Sequence, residues 1–151
     1  MSFMSQAALA PQFTTEREPG PFAAAFDTAW RAAAAGRLPS PADLASALSP
    51  ATLSQALVVD VARDGDRLSF RPRLTGTGFS AWLSGRGARI SALPAELERD
   101  LVAAAGSGQP VLDEAAAVYP LSRNGGDADT LVALVAARPT FGQRLRSALG
   151  L

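Results

Sequence analysis

Cysteine, histidine and lysine are all missing from this chain of 151 residues, and tyrosine occurs once, as Tyr119. Without cysteine there are no disulfides and no thiolate ligands for zinc. Without histidine there is no imidazole for zinc or haem, and no Ser-His or Cys-His nucleophile pair. Without lysine there is no Schiff base and no Walker-A phosphate loop. Catalysis would fall to Asp, Glu, Ser, Thr, Arg or Tyr119. No paired carboxylates, metal cluster or nucleophile–base pair stands out. Asp113-Glu114 is the tightest acidic pair, and on an extended segment its side chains point to opposite faces. A non-catalytic chain with no cofactor is expected.

Charge of one sign and long apolar runs are missing too. Fourteen arginines balance fourteen acids, so no net field draws the chain to nucleic acid or to an acidic membrane. No apolar run approaches the ~18 residues that span a bilayer. The first fifteen residues hold no Lys or Arg and so lack the basic start of a signal peptide. The expectation is a cytoplasmic protein that binds neither nucleic acid nor membrane.

What is present suits one domain of modest core. Residues 1–20 mix Ser, Gln, Ala, Thr and Pro and run into Pro19-Gly20-Pro21, which predicts a flexible arm. The domain proper is expected over 21–138. Phe22, Phe26, Trp30 and Ala33 recur at helical spacing and predict an amphipathic helix over 22–35, stopped by Gly36. Its aromatic stripe suits packing on the domain's own core or on a partner. Ser40-Pro41-x-Asp43 and Ser49-Pro50 are start signals for two short helical segments.

The period then changes. Leu57, Val59 and Val61 alternate with Val58, Asp60 and Ala62. Leu68, Phe70 and Leu74 alternate with Arg67, Ser69, Arg71 and Arg73. Asp64-Gly65 between them suits a two-residue type I′ turn. That loop sets Val61 opposite Leu68, Val59 opposite Phe70 and Asp60 opposite Ser69. Pro72 places the second strand at a sheet edge. The sequence predicts a short helix over 79–83 and a longer one over 94–105. Extended chain is expected from Gln109, then a turn at 123–127. Residues 130–137, apolar on both faces, predict a central strand beside the first. Phe141, Leu145 and Leu149 fall four apart in an expected C-terminal amphipathic helix over 139–151. It would dock on the domain or on a second copy.

Gly76-x-Gly78-x-x-Ala81 fits a dinucleotide fingerprint, but its context does not. That motif needs a parallel βαβ unit with an acid after the next strand. Here a hairpin arm precedes the glycines, and Asp100 falls inside a helix. Gly76 and Gly78 are expected to turn an edge strand sharply into a short helix.

Two stretches, "LVVDVARDGDRLSFRPRLTGTGFSAWL" from Leu57 and "YPLSRNGGDADTLVALV" from Tyr119, resemble the PAS superfamily. The likeness is to its compact bacterial single-domain members and spans residues 38–137. The RL-x-GTG turn and the PLS-x-(N/D)-GG hairpin carry it. The resemblance implies an α+β fold: a PAS-like antiparallel sheet of four or five strands, with helices over one face and N- and C-terminal helices added. It also implies a sensory or protein-interaction role in bacterial signal transduction. The family's hairpin before "YPLS" is cut here to "LDEAAAV", too short for two strands of roughly 5 residues and a turn. One edge strand is therefore expected to be short, with the pocket reduced.

A protein partner or homodimer is accordingly expected, with a small apolar ligand as the alternative. A ligand between sheet and helices would touch Val59, Phe70, Leu74, Phe79, Trp82, Leu101 and Val132. Protein contact would use Phe22, Phe26 and Trp30, or Arg67, Arg71 and Arg73, or Phe141, Leu145 and Leu149. The solvated-face reading of the arginines has Asp60, Asp64 and Asp66 beside them.

Overall fold

A computed structural model of the chain describes residues 18–136. The expected arm lies outside these up to residue 17, and the helix expected over 139–151, with Phe141, Leu145 and Leu149, lies outside them altogether.

Helix α1 (Ala24–Ala33) ends where Ala34 donates its N–H to the Trp30 carbonyl, and Gly36 follows with φ 82°. A 3-10 helix (Ala42–Ala47) comes next. Its entry is a reciprocal box: the Asp43 N–H donates to Ser40 Oγ at 3.2 Å, and the Ser40 N–H donates to the Asp43 carboxylate at 3.0 Å. Hydrogen bonds to the carboxyl from the Ser40 N–H, and next from the Ser40 side chain, hold Asp43 below its ordinary pKa. Helix α2 (Pro50–Ser54) starts in the same manner, with Ser49 Oγ accepting from the Thr52 N–H and Pro at the first position.

Strands β1 (Ala56–Asp64) and β2 (Arg67–Thr75) form the hairpin, and helices α3 (Thr77–Gly85) and α4 (Ala95–Ser107) follow. Then come β3 (Val111–Leu112), β4 (Ala116–Leu121) and β5 (Thr130–Val135). The sheet is antiparallel, in the order β2-β1-β5-β4-β3. The last strand, apolar on both faces, sits at the centre beside the first, as its composition predicts. Edge strand β3 is cut to two residues.

The hairpin register differs from the expected one. The loop is Gly65-Asp66, so Val61 faces Phe70, Arg63 faces Leu68 and Asp60 faces Arg71. Gly65 has φ 63°, while no described non-glycine residue has a positive φ. That pattern fits type II′, with Gly first, rather than type I′. The slip is two residues, an even number, so the side chains from Arg67 to Pro72 keep their faces. An irregularity then follows: Val59 pairs with Pro72 and Val58 with Leu74, so Arg73 is the extra residue. Pro72 does lie on an edge strand, where its missing N–H costs no ladder bond.

Both faces of the sheet are covered. On one, Leu57, Val59, Val118, Leu131 and Ala133 pack against Phe79, Trp82, Leu97 and Leu101 of α3 and α4. On the other, Ala117, Tyr119, Val132 and Leu134 pack against Phe26 and Trp30 of α1 and Leu44 of the 3-10 helix. The expected helices over one face are thus half of the cover, and α1 supplies the other half. Burying Phe26 or Trp30 contributes about 1.5–3 kcal/mol each, since apolar area leaves water.

Candidate functional site

The residues proposed to line a ligand chamber divide three ways. Val59, Phe79, Trp82 and Leu101 do meet between the sheet and α3/α4, with the Phe79 and Trp82 rings 5.6 Å apart. Phe79 and Leu101 have no accessible surface at all, so no water-sized space remains against them. Phe70 sits half-buried at the margin of this cluster. Leu74 and Val132 are elsewhere. Leu74 is 37% exposed, on the face of its register partner Val58. Val132 points into the α1 layer, because the alternation of β5 sends Leu131 and Ala133 to the other side.

The glycine corner is explained by its neighbours. Gly76 caps α3 with an ordinary negative φ, so backbone freedom is not what selects glycine there. A Cβ at Gly76 would fall on the carbonyl oxygens of Leu53 and Ser54, and one at Gly78 would crowd the Ser54 carbonyl. The N-terminus of α3 therefore abuts the C-terminal carbonyls of α2. Their partial negative charge occupies the place a phosphate would need.

Two of the proposed contact residues on α1 face inward. Phe26 meets Tyr119 edge-on at 5.0 Å between centroids. Trp30 donates its indole N–H to the Pro120 carbonyl at 2.8 Å. That bond serves the outer side of β4 where β3 has already ended. Two residues on, just past the end of β4, the Ser122 N–H finds the Pro39 carbonyl at 2.9 Å. Proline at 120 has no N–H to leave unpaired, so a cut-back edge strand still leaves these β4 groups satisfied. Phe22 lies half-buried at the edge of this layer.

The arginines do not act as one set. Arg73 bonds Asp60 at 2.9 Å, and Arg123 bonds the same carboxylate at 3.0 Å. Arg63 donates to the carbonyls of Ala105 and Ala128, tying the hairpin to the C-terminal turn of α4. Arg67 and Arg71 are exposed on β2. This arm of the hairpin extends past the rest of the sheet: β1 pairs with β5 only as far as Asp60, but with β2 as far as Asp64.

Two polar clusters escaped sequence reasoning because their members are far apart in the chain. Asp27 of α1 is buried. It accepts from the Tyr119 hydroxyl at 2.8 Å and pairs with Arg31 at 2.8 Å. Burial pushes the Tyr119 pKa up, and the hydrogen bond to the Asp27 carboxylate pushes it further. The second cluster joins Asp100 of α4 to Asp113, after β3. Burial, and then a hydrogen bond and like charge from Asp113, push the Asp100 carboxyl up to about 7. An open cleft of about 650 Å³ borders this pair, with Arg86 stacked on the Trp82 ring at 3.9 Å. A second open cleft, of about 580 Å³, lies where α1 and α4 end.

No family model, curated protein or solved structure matches this chain. Its chemistry is therefore read from its own residues. Among the described residues, no three acidic side chains are grouped to hold a metal ion, and no helix is long and apolar enough to cross a membrane.

Proposed function

We propose that the chain is a PAS-like, non-catalytic regulatory module that acts by protein–protein contact in bacterial signal transduction. The quoted motifs support this by where they fall: the first covers β1 from Leu57 on, β2 and most of α3, the second the latter half of β4 and all of β5. The five-stranded antiparallel sheet, with α3 and α4 against one face, suits the same reading. The single observation that carries the interaction role is the filled interlayer. With Phe79 and Leu101 buried and Trp82 packed beside them, side chains fill the space beside these residues, which favours protein contact over the alternative of an apolar ligand there. Contact then falls to the surface, where the projecting β1–β2 arm carries the exposed Arg67 and Arg71.

Native mass spectrometry and sedimentation of the full chain test this together. The expected result is no retained small molecule, and self-association or a complex with a protein encoded beside it. Arg67→Glu with Arg71→Glu should weaken that complex while shifting stability by no more than about 0.5 kcal/mol, as surface substitutions do. A stoichiometric small molecule carried through purification overturns the reading. So does a strict monomer that binds none of the neighbouring gene products.

A further inference from the structure

The two edges of the sheet end differently. Strand β3 has two residues, and past it Trp30 and Pro39 serve the outer side of β4. Strand β2 has nine residues and pairs with β1 alone, so its outer side is open along its length.

The backbone phase of that open edge follows from β1. The Val61 N–H donates to the Asp129 carbonyl at 2.9 Å, on the β5 side, so Val61 turns its backbone groups away from β2. Its register partner Phe70 turns away from β1 in the same manner, and so does Leu68 two residues on. Both present N–H and C=O to the outer edge. Pro72, next in this phase, has no N–H, and the irregularity at Arg73 follows it. The stretch from Arg67 to Arg71 is therefore the part of the edge suited to a further strand.

In extended chain, side-chain face and backbone direction alternate together. Leu68 and Phe70 lie half-buried on the α3/α4 side, beside Val61. Arg67, Ser69 and Arg71 take the other face and are exposed. Among the described residues neither of these arginines is in an ion pair. Asp60, which faces Arg71 in register, is held by Arg73 and Arg123, and Asp64 lies opposite Arg67 on the β1 side. The outer row itself carries two arginines and no acid.

These charges choose among partners. A second copy that used both outward donors would pair antiparallel about Ser69. Arg67 of one copy would then meet Arg71 of the other, and like charges directly opposite destabilise a pair. A strand with acids at those two places is attracted instead. We propose that the β2 edge from Arg67 to Arg71 takes an extended acidic segment of a partner protein, added antiparallel as an outer strand. Its acids stand opposite Arg67 and Arg71. Its alternate apolar residues lie against Leu68 and Phe70 and make the main-chain bonds there. This inference rests on the protein-contact reading above and names the mode of that contact.

The probe is a peptide with blocked ends, Thr-Glu-Val-Thr-Val-Glu-Thr, added to the full chain and followed by amide hydrogen exchange. At about 1 mM peptide, the weak end of specific affinities, the Leu68 and Phe70 amides should gain protection. N-methylation of the two Val residues removes the donors that face β2 and should weaken binding by about tenfold or more. N-methylation of the two Glu residues, whose N–H groups point away, should not. A peptide with Lys for Glu should bind only the chain carrying Arg67→Glu with Arg71→Glu. Strand addition is overturned if the first peptide gives no protection, if the Val-methylated one protects equally, or if the charge exchange fails to restore binding in the folded variant. The peptide arms use the unsubstituted chain, so they decide even where the variant does not fold. A dimer that protects Leu68 and Phe70 also overturns it, because a second copy then holds the edge. If the peptide fails while a neighbouring gene product binds elsewhere, strand addition falls and the protein-contact reading stands.

Discussion

Tyr119 is the one phenol of the chain, and it is enclosed with a carboxylate. Its hydroxyl satisfies buried Asp27, whose other oxygen takes Arg31. Tyr119→Phe leaves one carboxylate oxygen without its donor, and should cost about 1–3 kcal/mol in a denaturant titration. The pH behaviour is equally specific. The folded pKa lies above the ordinary 10.0, so the stabilisation is whole below that value and falls as pH rises beyond it. Tyrosinate absorbance should appear together with unfolding and not ahead of it; ionisation of the intact fold near its ordinary value would refute the burial. Neither this pair nor Asp100–Asp113 was legible in the sequence. Asp27 and Tyr119 are joined by packing across the sheet, which no local pattern encodes. Asp113 finds its partner in Asp100, on another element, and not in adjacent Glu114.

Elements were more legible than their pairing. The strand at 130–135 and the capped turns at Ser40 and Ser49 follow from local chemistry, two-sided apolarity and a side-chain acceptor, whereas the short edge strand was expected only by comparison with the hairpin of the family that the chain resembles. The hairpin register did not, because Asp64-Gly65 and Gly65-Asp66 both offer a two-residue loop, and a slip of two keeps the same faces. Glycine choice followed a tertiary cause. The sequence predicts that Gly76 serves a sharp turn, whereas the structure shows a helix end pressed against it. Gly76→Ala should therefore cost about 1–3 kcal/mol through overpacking against backbone atoms that cannot rotate away. Gly106→Ala is the control: nothing lies within 4 Å of an added Cβ there, and in α4 it should stabilise by up to about 1 kcal/mol. Equal urea midpoints for the two variants would refute the close approach of α2 and α3.

At the scale of the whole molecule, one sheet is shared by two apolar layers. Amphipathic spacing predicts that α1 buries its stripe but cannot say against which face, so the second layer was not legible. The two tryptophans happen to divide between the layers, Trp30 in one and Trp82 in the other. Single-tryptophan variants, Trp30→Phe and Trp82→Phe, thus report each layer separately. Because β5 contributes Leu131 and Ala133 to one and Val132 and Leu134 to the other, neither layer can melt and leave its neighbour intact. Within each variant, fluorescence and far-ultraviolet dichroism should trace one superposable transition. A layer that melts ahead of the dichroism would show two cooperative units in place of one.

The place of β5 also has a consequence during synthesis. Asp60 of β1 pairs with Thr130, about 70 residues later in the chain. A ribosome working at about 5–20 residues per second needs on the order of 4–14 s to cover that distance. For those seconds the inner edge of β1 has been made and its partner has not. A nascent chain with Leu57 and Val59 on an unpaired strand is a substrate for holding chaperones, and slow codons between β1 and β5 should lower the yield of folded protein more than the same codons placed after Val135.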